Sequence, residues 1–235
     1  MAYLTKETQL DFMGIRGIIF DLDGTLGDTF PVIFPAYRQA LQKFTGRIYT
    51  DEEIMAEFGP SEVGVFQHLT PQHWQECLRD YLEIYKRLSP LETKSYEGIG
   101  EMLATLSDWG VRMAVVTGKG YDSAILSLRD LGIMEYFDFV EGGSMHGVVK
   151  PACMQKVLKQ WGYTPPQAAY LGDAAMDMIN AKEVGVLPLG AAWGNIADVE
   201  GLKQQAPMAI FYQVGDFTQW IKTNIARKNG HPHTG

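Results

Sequence analysis

Four stretches of the chain carry side chains that could do chemistry together. Asp21 and Asp23 stand directly after the apolar run Gly17-Ile18-Ile19-Phe20. Thr117-Gly118-Lys119 follows a run that ends at Val116. Lys150 follows Val148-Val149, and Gly172-Asp173 follows a run ending at Leu171, with Asp177 one helical turn on. In open α/β sheets, ligands bind beyond the C-terminal ends of the strands, so segments far apart in sequence meet at one rim. The gathered set has three or four carboxylates, one hydroxyl and one or two ammonium groups. Carboxylates on one edge repel one another unless a cation neutralises them. A hard divalent cation such as Mg²⁺, bound through one or two carboxylates with water and phosphate, answers that need. A lysine and a small hydroxyl beside such an ion suit a phosphoryl group, whose transfer depends on positioning and charge neutralisation. An aspartate can itself be the nucleophile and carry the phosphoryl group as an aspartyl-phosphate.

These residues meet only if the segments between them alternate strand and helix. The hydrophobic pattern predicts strands over 15–20, 111–116, 137–140, 168–171, 186–190 and 208–212. It predicts helices over 121–131, 151–161, 174–184, 196–204 and 217–226. Ile99, Met102, Leu103 and Leu106 share one face of a further helix that ends near Gly110. Val148-Val149 reads as a short strand or as loop. Such alternation implies βα units, a mainly parallel sheet and right-handed crossovers.

From Pro31 to about Leu91 the texture changes. Ile33, Tyr37, Ala40, Leu41 and Phe44 recur at helical spacing. A second helical stretch runs from Asp51, read as its N-cap, to Phe58, and Ser61 is placed to cap a short third one. A long helix follows over 71–88, with Trp74, Leu78, Leu82 and Tyr85 near one face. The chain thus reads as a Rossmann-like α/β core, residues 1–26 and 95–235, interrupted by an all-helical cap, residues 27–94. Hinges are expected near 27–31 and 89–94. The polar tail over 227–235 is expected to fray, and His231 and His233 within it suggest no metal site.

Composition narrows the class. The chain has 235 residues, 46% of them hydrophobic, and a formal net charge of −8. That mix is globular. The acidity argues against general nucleic-acid binding, which needs a basic footprint. It does not exclude a small anionic substrate, because a local site can be positive. Cys77 and Cys153 lie far apart and in no Cys-x-x-Cys pattern, so they read as buried thiols rather than a disulfide or a zinc site. The first fourteen residues lack the basic start and apolar run of a signal peptide. No stretch approaches the roughly 20 apolar residues of a membrane span. A cytoplasmic protein with no membrane partner is the expectation.

Taken in order, Asp21-Leu22-Asp23-Gly24-Thr25-Leu26, Thr117, Lys150-Pro151 and Gly172-Asp173-x-x-x-Asp177 resemble the four motifs of the haloacid dehalogenase-like hydrolase superfamily. The helical insertion resembles that superfamily's cap, and the overall pattern is similar to the phosphoglycolate phosphatase branch. The resemblance implies a Mg²⁺-dependent phosphatase acting on a small phosphorylated metabolite. It implies that Asp21 attacks phosphorus and that Asp23 protonates the leaving oxygen, then deprotonates the hydrolytic water. Thr117 and Gly118 would hold the phosphoryl oxygens, and Lys150 would neutralise their charge. Asp21, the carbonyl of Asp23 and Asp173 would bind Mg²⁺, with Asp177 supporting from behind. Gly24, Thr25, Gly118 and Lys119 would belong to the substrate-binding rim.

Rival readings remain at this level. True dehalogenases of the superfamily commonly lack the second aspartate, so Asp23 disfavours dehalogenation. Mutases of the β-phosphoglucomutase type commonly carry Glu-Asp where this chain has Gly172-Asp173, which lowers the phosphosugar mutase reading. Gly118 replaces the asparagine of a common Thr-Asn-Lys pattern and removes one polar side chain from the rim. A non-enzymatic phospho-accepting module would place its aspartate after a later strand and lack the helical insertion. In the insertion, Tyr37, Arg38 and Gly59-Pro60-Ser61-Glu62 are candidates to face a substrate. An ordinary helix start, capped by Ser61, is the simpler account of the last group.

Overall fold

The computed structural model describes residues 14–147 and 149–225. Predictions that fall on the first thirteen residues, on Val148 and on the tail beyond Ile225 lie outside those residues. The first strand, β1 (Gly17–Phe20), is buried throughout. A two-residue strand, β2 (Gly27–Asp28), follows, then the helices α1 (Phe30–Thr45), α2 (Asp51–Met55), α3 (Glu62–Leu69) and α4 (Trp74–Glu92). Strand β3 (Lys94–Ser95) pairs antiparallel with β2. The helical segment therefore leaves and re-enters through a short two-stranded ribbon that hydrophobic patterning could not predict. The ribbon falls at the two expected hinge stretches.

The rest alternates: α5 (Ile99–Asp108), β4 (Arg112–Val116), α6 (Tyr121–Asp130), β5 (Phe139–Glu141), α7 (Lys150–Trp161) and β6 (Ala168–Gly172). It closes with α8 (Ala175–Val184), β7 (Leu187–Ala191), α9 (Val199–Gln204), β8 (Ala209–Phe211) and α10 (Val214–Asn224). Six strands form one sheet in the order β5-β4-β1-β6-β7-β8, and every pairing is parallel. Leaving out the ribbon, this is the doubly wound 3-2-1-4-5-6 order, whose switch point lies between β1 and β6. The register sets Phe20 beside Leu171, so the segments after both strands emerge side by side.

Three apolar clusters hold these layers. Leu103, Val115, Leu128 and Phe217 belong to one, and Ile19, Val116, Trp161 and Tyr170 belong to a second. The third lies in the inserted helices and includes Val32, Leu41, Phe66, Tyr81 and Tyr85. The insertion thus has an apolar centre of its own. Among the described residues, no helix is long and apolar enough to cross a membrane.

Several predicted boundaries need correction. The cap of α2 is Thr50, not Asp51: its hydroxyl accepts from the Glu53 amide, and the Glu53 carboxylate accepts from the Thr50 amide. Ser61 sits at the N-cap position of α3, but its side chain makes no capping bond. Helix α4 starts three residues later than predicted and continues through Pro90. Proline can end a helix but need not, and in the final turn it forfeits one backbone bond. Val149 is the N-cap residue of α7, so it is not in a strand. Cys77 is buried, whereas Cys153 is half-buried.

Candidate active site

The segments after β1, β4 and β6 meet at the C-terminal edge of the sheet. Asp21 follows β1 directly, and its amide donates to the Leu171 carbonyl of β6 at 2.9 Å. Gly24 turns the chain beneath Asp173 with φ +80°, a region open to glycine. A Cβ there would collide with the Asp173 carboxylate. Likewise, a Cβ on Gly172 would run into Asp177. Both glycines therefore let carboxylates and backbone crowd together.

Lys150, at the start of α7, reaches the Asp21 Oδ2 at 2.8 Å and the Asp177 Oδ1 at 2.6 Å. The Leu22 amide donates to the other Asp21 oxygen at 2.8 Å. Asp177 also accepts from the Ala174 amide at 3.2 Å, so both of its oxygens are engaged. Oxygens of Asp21, Asp173 and Asp177 lie within 4.8 Å of one another. Burial, with Asp21 and Asp177 beside it, pushes the Asp173 carboxyl well above the usual carboxylate value. Burial raises Asp177 as well, although Lys150 pulls the other way. For Lys150, burial opposes the charge, but Asp177 and Asp21 outweigh it and hold the ammonium above the ordinary lysine value. Buried, mutually repelling hard oxygen donors are a fitting seat for a divalent cation.

A second charged pair stands apart from the first. Lys119 is buried and lies 3.3 Å and 3.4 Å from the two Asp23 oxygens. Its ammonium also sits 4.5 Å from the centroid of the Tyr85 ring. Burial opposes this charge too, and Asp23, Tyr85 and Glu62 outweigh it, raising the pKa. Thr29 donates to Asp23 Oδ1 at 2.5 Å. Thr29 occupies the N-cap position of α1 and makes no capping bond there. Thr117 accepts from the Lys119 amide at 3.2 Å, which fixes the loop that presents Gly118.

One cavity of about 370 Å³ joins these groups. Asp21, Asp23, Thr117, Gly118, Lys119, Lys150, Asp173 and Asp177 all line it. Gly24 and Thr25 do not. Thr25 is fully buried and donates to Asp173 Oδ1 at 3.2 Å, so it stands behind the carboxylate rather than on a substrate-binding rim. The inserted helices supply the opposite wall, including Tyr37, Gly59, Pro60 and Glu62. Ser61 does not line the cavity, and Arg38 instead pairs with Asp51 and the Tyr49 carbonyl.

Glu62 bridges the two walls. Its carboxylate accepts from the Gly120 amide and the Ser123 hydroxyl on α6, and the Tyr81 hydroxyl lies 3.5 Å away. Gly120 is the N-cap of α6 and has no side chain to cap with. The acid from the helical segment sits at this helix N-terminus, where negative charge is favoured. The Ser61 amide adds a bond to the Ser144 carbonyl at 2.8 Å. Sequence reasoning missed Thr29, and it favoured a plain helix start over Glu62. Their signals were weak: a threonine six residues after Asp23, and an acid one residue past a capping serine. It also missed Asn180, one turn beyond Asp177, whose buried Nδ2 has no partner and which lines the same cavity.

A haloacid dehalogenase-like hydrolase family model matches residues 18–191. The chain belongs to that family. It is 29% identical to the pyrophosphatase PpaX of Listeria welshimeri, over 88% of this chain and 97% of that protein. A structure of a haloacid dehalogenase-like family hydrolase from Streptococcus pneumoniae superposes with a TM-score of 0.74 and 26% identity, covering 88% of this chain and 99% of that one. A predicted phosphoglycolate phosphatase from Haemophilus somnus superposes with a TM-score of 0.77 at 24% identity, covering 88% and 98%, a likeness of fold.

Proposed function

We propose that this hydrolase is a Mg²⁺-dependent phosphatase that cleaves the phosphate monoester of a small metabolite through an aspartyl-phosphate on Asp21. One observation carries the reading: Asp21, Asp173 and Asp177 crowd around Lys150, while Asp23 stands apart on Lys119 and Thr29. Two carboxylates in such different surroundings suit two roles. The similarity to an enzyme named as a pyrophosphatase supports hydrolysis at phosphorus.

Asp21 is the nucleophile, and Lys150 holds its carboxylate in place. Thr117 and the Gly118 amide receive the phosphoryl oxygens. Asp23, oriented by Thr29 and Lys119, gives a proton to the departing oxygen and then takes one from the water that frees the phosphate. Asp21, Asp173 and the carbonyl of Asp23 would hold Mg²⁺, with Asp177 fixing Lys150 behind them. When bound, the ion supplies charge neutralisation to the phosphoryl group. The helical segment, residues 27–94, acts as a cap that limits water and reads the leaving group. A phosphate-release assay over a panel of esters with added Mg²⁺ tests the reading. Asp21→Asn should lower release by roughly 10⁴-fold or more while leaving the fold intact. Release that is absent from every ester, or equal in Asp21→Asn, would sink it.

A further inference from the structure

We infer that the leaving group is an uncharged, apolar alcohol about the size of one ring, and not a second anionic group; this rests on the phosphatase reading above. The cavity has two chemically distinct ends. Its charged end holds the Asp21 and Asp23 groups. The end furnished by the inserted helices presents Phe30, Ile33, Tyr37, Phe58, Pro60 and Tyr81. Among the described residues lining the cavity, the cations are Lys119 and Lys150. Each already faces a carboxylate, Asp23 for the first and Asp21 with Asp177 for the second. The one charged side chain that the inserted helices contribute is Glu62, and it is negative.

A carboxylate or second phosphate on the leaving group would therefore be buried against aromatic carbon on a wall whose described lining residues supply no cation, which is costly. An ammonium group fares little better, because Glu62 is already taken up by the Gly120 amide and the Ser123 hydroxyl. An apolar group meets the opposite situation. Phe58 is 42% exposed and Met176 50% exposed, and both line the cavity, one from each wall. Exposed large apolar side chains that converge on a pocket are surface a ligand can cover.

Binding and turnover test this separately. Calorimetry on the intact protein with Mg²⁺ would compare benzylphosphonate, phosphonoacetate and 2-aminoethylphosphonate. Benzylphosphonate should bind about ten-fold more tightly than either of the others. Turnover of benzyl phosphate should exceed that of 2-phosphoglycolate, pyrophosphate and phosphoethanolamine by a similar factor in kcat/KM. Phe58→Arg, at a half-exposed position that tolerates charge, should erase the preference in both assays. Equal or tighter binding of phosphonoacetate or the amine overturns the inference, as does a Phe58→Arg variant whose preference is unchanged. If benzylphosphonate binds best yet no ester yields Asp21-dependent phosphate, the phosphatase reading falls while the pocket assignment stands.

Discussion

The two walls of the cavity are built on opposite principles. The sheet edge brings charged groups together and pairs them: Lys150 with Asp21 and Asp177, Lys119 with Asp23. The wall from the inserted helices is aromatic, and its tyrosines pack against one another, as with Tyr37 and Tyr81 at 4.7 Å between ring centroids. Charged pairs in a buried site fix atoms closely but tolerate little change. Apolar contacts are non-directional and tolerate exchange of one side chain for another of similar volume. On the proposed function the difference separates reaction from recognition, and Glu62 joins the two walls.

Substitutions can break that contrast in order of effect. Asp23→Asn removes the proposed proton donor but keeps the shape, so kcat should fall by about 10²- to 10⁴-fold with KM little changed, as steady-state kinetics would show. A comparable loss from a conservative replacement in the apolar wall, such as Ile33→Val, would contradict the division. Lys119→Met leaves Asp23 in a largely buried place without its cation. It should cost about 3 kcal/mol in urea unfolding, because a broken buried pair is worse than none.

Glu62→Ala leaves the Gly120 amide without its acceptor and the Ser123 hydroxyl with the Gly120 carbonyl alone. A loss of about 1–3 kcal/mol is expected, with a rise in KM larger than any fall in kcat. Glu62→Gln keeps an acceptor and should recover most of both. If Glu62→Ala left KM untouched, the acid would not tie the walls during turnover.

The smallest effect is thermal. The Asp173 carboxyl is raised by burial and by its neighbours, so the folded protein holds that proton more tightly than the unfolded chain does. Its contribution to stability is present below the unfolded carboxylate value and is lost as pH rises through the raised folded value. Metal-free protein should therefore weaken across that window, and Mg²⁺ should raise Tm more above it than below. Asp173→Asn should raise the metal-free Tm by about 2–4 °C and abolish the Mg²⁺ response. Scanning calorimetry with and without chelator reads both.

Much of the sheet was legible because its strands are short apolar runs, such as Gly17-Ile18-Ile19-Phe20, whose burial on both faces leaves a plain signal. The ribbon of Gly27-Asp28 with Lys94-Ser95 was not legible, since two-residue strands carry no periodicity. Thr29 was hidden for a different reason. A threonine before a helix reads as a cap, and only the folded chain shows its hydroxyl donating to Asp23 instead of accepting from the helix.

By itself, the sequence determined the four motifs, the alternation that brings them to one rim, and the insertion after the first strand. Those properties are local: residue type, spacing and period. The tertiary structure alone decided that Lys119 belongs to Asp23, that Thr25 stands behind Asp173, and that Glu62 accepts from Gly120 at the start of α6 across the cavity. It also decided that the wall opposite the carboxylates is aromatic and short of cations. Such pairings join residues up to 148 positions apart. Which atom meets which depends on how separate elements pack, and one-dimensional spacing does not encode that.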